Sequence, residues 1–236
     1  MSLVWRSCLV TLAFLAVVYM FVRPSPAASP YPTVDVALVL AADASGSVDN
    51  RELEIQREGY ATAIMHPDVI AAIGDGPHGR VLVAYFEWSG CTDQKVRVGW
   101  SIIEDDASAR NFAARLTGKE RLVTAGSTCV SGALRFADAL LLAVPEVAER
   151  YVIDISGDGT EIAGFATVGL VRDAITARGV TINAMPVLVD PDGSPDGLMK
   201  FYETVVIGGP AHFIEPAADF HDIGPALRRK LVQEIG

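Results

Sequence analysis

Compact apolar runs alternate along the chain with segments whose apolar residues recur at helical spacing. Val34–Ala41 consists mostly of valine, leucine and alanine, which predicts a strand buried on both faces, as is common in parallel sheets. Arg80–Phe86, Arg150–Ser156 and Val180–Val189 predict further strands. Because strands alternate with helical patterns, the sequence predicts a doubly wound α/β fold with a mostly parallel sheet.

The pattern also predicts a hairpin and several helices. Lys95–Trp100 alternates polar and apolar residues after the turn-like segment Ser89–Asp93, which predicts an antiparallel edge strand. His212–Ile214 is a candidate for a last strand. The predicted helices run from Asp49 to near His66–Pro67, then over Ala107–Leu116, Ser131–Val144, Thr167–Arg178, Leu198–Val206 and from Ile223 to Ile235. Asp49 with Glu52 three residues later matches a capping box at the start of the first helix.

The first 28 residues have the pattern of a secretory signal peptide. Arg6 precedes the apolar run Cys8–Val22, and small residues then offer a cleavage site after Ala27 or Ala28. The run is shorter than the ~20 residues that a membrane-spanning helix needs. We therefore expect a cleaved signal and an exported domain at residues 34–236, periplasmic or secreted. The alternative is a protein anchored in the membrane by residues 8–22.

Composition and charge narrow the function classes. Half of the residues are hydrophobic, which suits a globular protein with a substantial core. The 29 acidic against 19 basic residues give a formal net charge of −10. Such a surface repels phosphate backbones, so we expect no binding to nucleic acid.

The cysteines point to a disulfide bond. If Cys8 leaves with the signal peptide, Cys91 and Cys129 remain. An even pair in an oxidising compartment favours a disulfide, with two free thiols as the alternative.

Oxygen-bearing side chains follow three of the predicted elements. Asp43, Ser45 and Ser47 alternate on the turn after the first strand, Asp158 follows the Arg150–Ser156 strand in a Gly-Asp-Gly segment, and Thr128 belongs to a third loop. Ligand sites of such folds lie beyond the carboxyl ends of the strands. An all-oxygen set with few carboxylates and several hydroxyls suits Mg²⁺, and Mn²⁺ should also fit. Alternatively, the Asp-x-Ser-x-Ser segment caps the next helix and Gly-Asp-Gly is only a turn.

These motifs resemble the metal-ion-dependent adhesion site of von Willebrand factor type A domains. That family has Asp-x-Ser-x-Ser after an apolar strand, a later threonine in a Gly-rich loop, and an aspartate in a Thr-Asp-Gly turn. Gly126–Leu134 is similar to the family's Gly-Gly-Thr-x-Thr-x-x-Ala-Leu, which assigns Thr128, and Asp158 matches the last aspartate. Val130 and Gly157 replace two threonines of the pattern.

The resemblance covers Val34 to the C-terminus and implies a Rossmann-like fold. Val206–Pro210 and the closing segments look like an exported bacterial subfamily of unassigned function.

The resemblance also implies a function. In this family the bound cation keeps an open coordination position that an acidic side chain of a protein partner fills. We therefore expect a cation-dependent binding module, not an enzyme. Glu87, Trp88 and Thr92 are candidates for the rim that contacts the partner, although core packing is equally plausible for Trp88. Cys91 and Cys129 should both lie on the metal-binding face.

Two rival interpretations remain. A haloacid dehalogenase-like phosphatase also has an aspartate after the first strand and a Gly-Asp-Gly turn, but it needs a second carboxylate two residues later as general acid. Ser45 occupies that position and cannot transfer this proton near neutral pH. The other rival is a structural exported domain with a degenerate metal site. The four histidines (His66, His78, His212 and His221) lack zinc-ligand spacing.

Overall fold

The first apolar run of the sequence forms the central strand of a five-stranded sheet in the computed structural model, which describes residues 33–162, 165–189 and 195–236. Every residue of this strand, β1 (Val34–Asp43), is buried. Val36 and Leu38 belong to the apolar core on one face of the sheet, and Ala37 and Val39 to the core on the other. A strand covered on both faces must be apolar at nearly every position, which explains the run.

The sheet confirms the predicted topology. Its order is β3-β2-β1-β4-β5. The other strands are β2 (Val81–Trp88), β3 (Gln94–Ile103), β4 (Ala148–Gly157) and β5 (Thr181–Pro186). β1 pairs in parallel with β2 and β4, and β4 with β5, whereas β3 pairs antiparallel with β2 at one edge.

Helices cover both faces of the sheet, as a doubly wound fold requires. They are α1 (Asn50–Ile64), α2 (Pro67–Gly74), α3 (Asp106–Leu116), α4 (Val130–Leu142), α5 (Phe165–Thr176), α6 (Pro195–Phe201), a π-helix (Tyr202–Val206) and α7 (Ile223–Ile235). Helices α1, α2, α3 and α7 pack on one core, and α4, α5, α6 and the π-helix pack on the other. In the described part of the chain, no helix combines the length and apolarity needed to cross a membrane.

Helix α1 is capped by the residues that the sequence indicated. The Asp49 side chain accepts from the N–H of Glu52, and the Glu52 side chain accepts from the N–H of Asp49, each at 2.8 Å. This reciprocal pair satisfies two backbone donors of the first turn. The N-cap is therefore Asp49, which leaves Asp43, Ser45 and Ser47 with no capping role.

Two elements differ from the expectation. His66–Pro67 does not only end a helix: Pro67 is the first residue of α2, and the His66 ring nitrogen Nδ1 accepts from the N–H of Asp68. Proline suits this position because its missing N–H has no helical partner there. The predicted strand at His212–Ile214 is wrong, since Ile214 forms only an isolated bridge with Ala184.

The predicted signal peptide at residues 1–28, and the alternative anchor at residues 8–22, lie outside the described residues.

Candidate metal centre

Asp43 is the last residue of β1, and its side chain is wholly buried. Its Oδ1 accepts a hydrogen bond of 2.8 Å from the backbone N–H of Ser45. Its Oδ2 is buried and has no hydrogen-bond partner among the described residues. Leaving a buried polar atom unsatisfied costs on the order of 1–3 kcal/mol, and more for a charged group. The folded protein is therefore more stable when a proton, a hydrogen-bond donor or a cation binds to this oxygen.

Arg121 holds the loop that carries Ser45 and Ser47. Its guanidinium donates to the backbone oxygens of Ala44, at 2.7 Å, and Val48, at 2.6 Å, on either side of the two serines. A third bond of 2.9 Å reaches the Asn50 side chain at the start of α1. The fork of donors fixes the loop between β1 and α1 at both ends.

The structure brings the five predicted ligand residues together. The hydroxyls of Ser45 and Ser47 lie 3.2 Å apart, and Thr128 Oγ1 lies 3.2 Å from Ser45 Oγ. Ser47 donates to Asp158 Oδ1 at 2.7 Å. Asp43 joins this chain of contacts through the N–H of Ser45. Three loops that are distant in sequence thus meet at the carboxyl ends of β1 and β4.

Glycines allow these loops to approach closely. A Cβ atom at Gly159 would lie only 2.9 Å from Thr128 Oγ1, and one at Gly46 only 3.1 Å from the backbone oxygen of Gly126. The Gly46 N–H donates to that same oxygen at 2.7 Å. Side chains at these positions would force the Thr128 loop away from the serines.

The two carboxylates form an electrostatically uncompensated pair. Burial raises the pKa of Asp43 to about 8, with the negative charge of Asp158 adding to the effect and the hydrogen bonds from Ser45 opposing it. Burial also raises the pKa of Asp158, against the hydrogen bond from Ser47. Neither forms an ion pair with a described lysine or arginine. The oxygen donors and the excess negative charge both suit a hard divalent cation.

A disulfide bond joins Cys91 to Cys129, as predicted, with their Cα atoms 5.0 Å apart. Cys91 lies in the turn between β2 and β3, and Cys129 follows Thr128 directly. The Cys129 N–H also donates to the backbone oxygen of Ser89, at 3.2 Å. The bridge therefore ties the Thr128 loop to the hairpin turn.

Glu161 lies beside this bridge. Its carboxylate accepts from the N–H of Ser131 at 2.8 Å, in the first turn of α4. A carboxylate oxygen of Glu161 and both sulfur atoms lie within 4.8 Å of one another, a spacing that a metal ion could span. While the sulfurs are bonded to each other they offer no thiolate, so this group is a structural contact rather than a second metal site.

Two of the three expected rim residues are wrong. Strand β2 extends through Trp88, so Glu87 and Trp88 lie inside the sheet and are wholly buried. The Glu87 carboxylate accepts from Arg57 and Arg97, whose charges compensate for its burial. Trp88 packs in the apolar core, the alternative that its sequence context also allowed. Thr92 is exposed in the hairpin turn, where a rim residue would have to lie.

The sequence did not indicate two residues that contact this site. Arg121 reaches Ala44 across 77 positions of the chain, with no motif around it. Tyr202 lies in the π-helix, and a Cβ at Gly157 would lie 2.7 Å from its hydroxyl. Only folding reveals these positions, because no local pattern marks them.

The sequence matches one family model, DUF1194, described as a protein of unknown function, over residues 33–236. No curated protein matches the sequence.

Solved structures show that the fold is that of von Willebrand factor type A domains. A von Willebrand factor type A protein from Catenulispora acidiphila is 17% identical, with a TM-score of 0.59 over 86% of this chain and 43% of its own. The pilus adhesin SpaC from Lactobacillus rhamnosus GG is 14% identical, with a TM-score of 0.62 over 88% of this chain and 31% of its own. This chain thus spans less than half the length of either protein.

A third similar structure is the manganese-loaded TRAP protein from Plasmodium vivax. It is 14% identical, with a TM-score of 0.53 over 85% of this chain and 75% of its own. The similar structures thus include both an adhesin and a protein that holds a divalent cation.

Proposed function

The chain belongs to the DUF1194 family, and we propose that it is an exported, cation-dependent protein-binding module. Its cation site is formed by the side chains that meet at the carboxyl ends of β1 and β4. The partner is a protein that offers an acidic side chain to the bound cation. The resemblance of the fold to a pilus adhesin and to a manganese-loaded protein supports this assignment.

The proposed ligands are Asp43, Ser45, Ser47, Thr128 and Asp158. They supply two carboxylates and three hydroxyls, all of them oxygen donors. A set with so few carboxylates leaves coordination positions for water, which Mg²⁺ commonly retains in proteins. Mn²⁺ is the alternative, because it accepts the same oxygen donors.

The main support for this proposal is the buried, unpaired carboxylate of Asp43. Its Oδ2 is buried without a described partner, and its pKa is raised to about 8 by burial and by the charge of Asp158. A protein gains nothing in stability from two carboxylates at such a position. A cation would satisfy the oxygen and neutralise the charge, so the cost in the metal-free protein is consistent with a binding site.

The exposure of the site residues indicates how a partner would reach it. Asp43 and Ser45 are buried, whereas Ser47 is exposed at the surface of the loop. A bound cation supplies a positively charged open position that an acidic side chain can occupy. Ser47 holds Asp158 in place from the solvent side, and Thr92 is an exposed residue of the nearby hairpin turn.

Export remains part of the proposal. Residues 1–28 have the pattern of a signal peptide. The disulfide between Cys91 and Cys129 supports an oxidising compartment, since such bonds persist in exported proteins and are rare in the cytosol.

Calorimetric titration of Mg²⁺ into the purified protein tests the cation site. We expect a single saturable site in the wild-type protein and none in Asp43→Ala. Asp106→Asn is the control, because this exposed aspartate of α3 approaches Arg110, at 4.0 Å, and makes no hydrogen bond or ion pair with the proposed ligands among the described residues. Wild-type protein that binds neither Mg²⁺ nor Mn²⁺ would contradict the proposal.

Chelation tests the partner interaction. Immobilised protein should capture a cell-envelope protein in the presence of Mg²⁺ and release it when EDTA is added. The Asp43→Ala variant should capture none under either condition. Capture that persists in EDTA, or that the variant retains, would show that binding does not depend on the cation.

A further inference from the structure

Tyr202 is a buried polar side chain that is not among the proposed ligands. It is the first residue of the π-helix and is wholly buried. Its ring packs edge-on against Phe201, with centroids 5.4 Å apart. Its hydroxyl is buried and has no hydrogen-bond partner among the described residues. Burial of a hydroxyl without a hydrogen-bond partner costs free energy of folding.

The hydroxyl faces the proposed cation site across Gly157. A Cβ atom at Gly157 would lie 2.7 Å from Tyr202 Oη and 2.9 Å from Asp43 Oδ2. The two oxygens are therefore at most about 5.6 Å apart, because both lie near the same point. The tyrosine hydroxyl and the unpartnered carboxylate oxygen thus share the space that a side chain at position 157 would fill.

The charges around Tyr202 agree with this placement. Burial raises the pKa of the Tyr202 hydroxyl, and the negative charges of Asp43 and Asp158 raise it further. A phenol has an ordinary pKa of about 10, so the hydroxyl keeps its proton near neutral pH and is available as a donor. A carboxylate has about four acceptor positions, so Asp43 can accept from Ser45 and Tyr202 and still bind a cation.

We propose that Tyr202 is a positioning residue of the cation site. Its hydroxyl donates to Asp43 Oδ2 through one bridging water molecule and so fixes the carboxylate for the cation. Gly157 is a glycine because this arrangement leaves no space for a side chain there. The inference rests on the proposed cation site and adds a residue that reaches it from the π-helix, more than 40 positions after Asp158.

The variant Tyr202→Phe removes the hydroxyl and keeps the ring. Loss of a group that orients a metal ligand typically weakens metal affinity 10- to 100-fold, so we expect at least about a tenfold loss of Mg²⁺ affinity. Tyr85→Phe is the matched control. Tyr85 is equally buried, in β2, but its charged neighbours are Glu87, Arg57 and Arg97 rather than the site carboxylates. Its affinity should equal that of the wild type.

Two further measurements separate positioning from a general effect on folding. In protein labelled with ¹³C at the tyrosine ring carbons, the signal that Tyr202→Phe removes should shift during Mg²⁺ titration and saturate with the calorimetric curve. Without metal, Gly157→Ala should destabilise wild-type protein more than it destabilises Tyr202→Phe, because the added methyl meets the hydroxyl only in the former.

These measurements test the role of Tyr202 separately from the existence of the cation site. Wild-type protein that binds no divalent cation would overturn both. Wild-type protein that binds Mg²⁺, with equal affinity in Tyr202→Phe and no shift of the Tyr202 signal, would overturn the role of Tyr202 alone. A tenfold loss of affinity together with the shift supports it.

Discussion

Ser47 donates a hydrogen bond of 2.7 Å to Asp158, although 111 positions of the chain separate them. Ser47 is exposed, so the bond adds little to the stability of the fold, since surface contacts of this kind are weak. Its value lies in holding a second carboxylate next to Asp43. Loss of the Ser47 hydroxyl should therefore weaken cation binding without lowering the stability of the fold, and mutation can test this.

We predict that Ser47→Ala weakens Mg²⁺ binding at least about tenfold while the free energy of unfolding changes by no more than about 0.5 kcal/mol. The control is Ser127→Ala, which removes an exposed hydroxyl next to Thr128 that makes no described contact with the carboxylates. Calorimetric titration and urea unfolding in EDTA measure the two effects. Equal Mg²⁺ affinities in both variants would exclude Ser47 as a ligand.

Arg121 should affect both the Mg²⁺ affinity and the free energy of unfolding, because it donates to backbone oxygens of the loop between β1 and α1. Arg121→Lys keeps the charge but cannot reproduce the fork that reaches Ala44, Val48 and Asn50. We predict a loss of about 1–3 kcal/mol in the free energy of unfolding and weaker Mg²⁺ binding. Arg110→Lys on the exposed face of α3 is the control and should match the wild type in both measurements.

Apolar patterning was sufficient to predict the sheet. β1 is buried throughout and β4 is buried from residue 152 to 157, and their apolar composition reflects cover on both faces. The Asp49–Glu52 capping box is a local motif. Strand patterns and helix caps depend on residues that are close in sequence, so the sequence alone predicts them. The same holds for the resemblance of Asp43, Ser45 and Ser47 to a known metal-binding motif.

Features that depend on distant parts of the chain could not be predicted. Glu87 was expected at the rim, but β2 continues through it, and Arg57 and Arg97 make its burial tolerable. Nothing near Glu87 in sequence indicates Arg57. Tyr202 likewise reaches Gly157 only because the π-helix packs against β5 and α5, beside the carboxyl end of β4. Sequence patterns give the elements and their order, whereas such side-chain contacts arise from tertiary packing.

The disulfide should contribute strongly to stability. Cys91 and Cys129 are 38 positions apart, and a loop of that length corresponds to about 4 kcal/mol in the chain-entropy model. We predict that reduction lowers the free energy of unfolding by up to about that amount and also weakens Mg²⁺ binding, because Thr128 precedes Cys129. Urea unfolding with and without a phosphine reductant measures the effect. The double variant Cys91→Ser/Cys129→Ser is the control and should not respond to the reductant.

A buried cluster of one lysine and two carboxylates, away from the proposed ligands, should make stability depend on pH. Lys230 lies 2.8 Å from Asp154 Oδ1 and also contacts Glu234, and all three side chains are buried. Burial raises the pKa of Glu234 to about 7, with the charge of Asp154 adding to the effect and Lys230 opposing it. Burial also raises the pKa of Asp154, against the charge of Lys230. The pKa of Lys230 is raised from 10.5 by its two acidic neighbours, which outweigh burial, so it does not titrate in this range.

A carboxyl whose pKa is raised on folding stabilises the protein below its unfolded pKa and loses that effect as pH rises through the folded value. For Glu234 the window lies between pH 4.5 and about 7, where the folded protein keeps a proton that the unfolded chain has released. We therefore predict that Glu234 lowers the free energy of unfolding by about 1–3 kcal/mol from pH 5 to 7.5 in EDTA. Asp43, Asp158 and Asp154 add to the fall, because their pKa values are also raised on folding. Glu234→Gln should reduce this dependence, because glutamine does not titrate, whereas Glu203→Gln, at an exposed residue of the π-helix, should leave it unchanged. Equal pH dependence in the wild-type protein and in Glu234→Gln would contradict the assignment of a proton to Glu234.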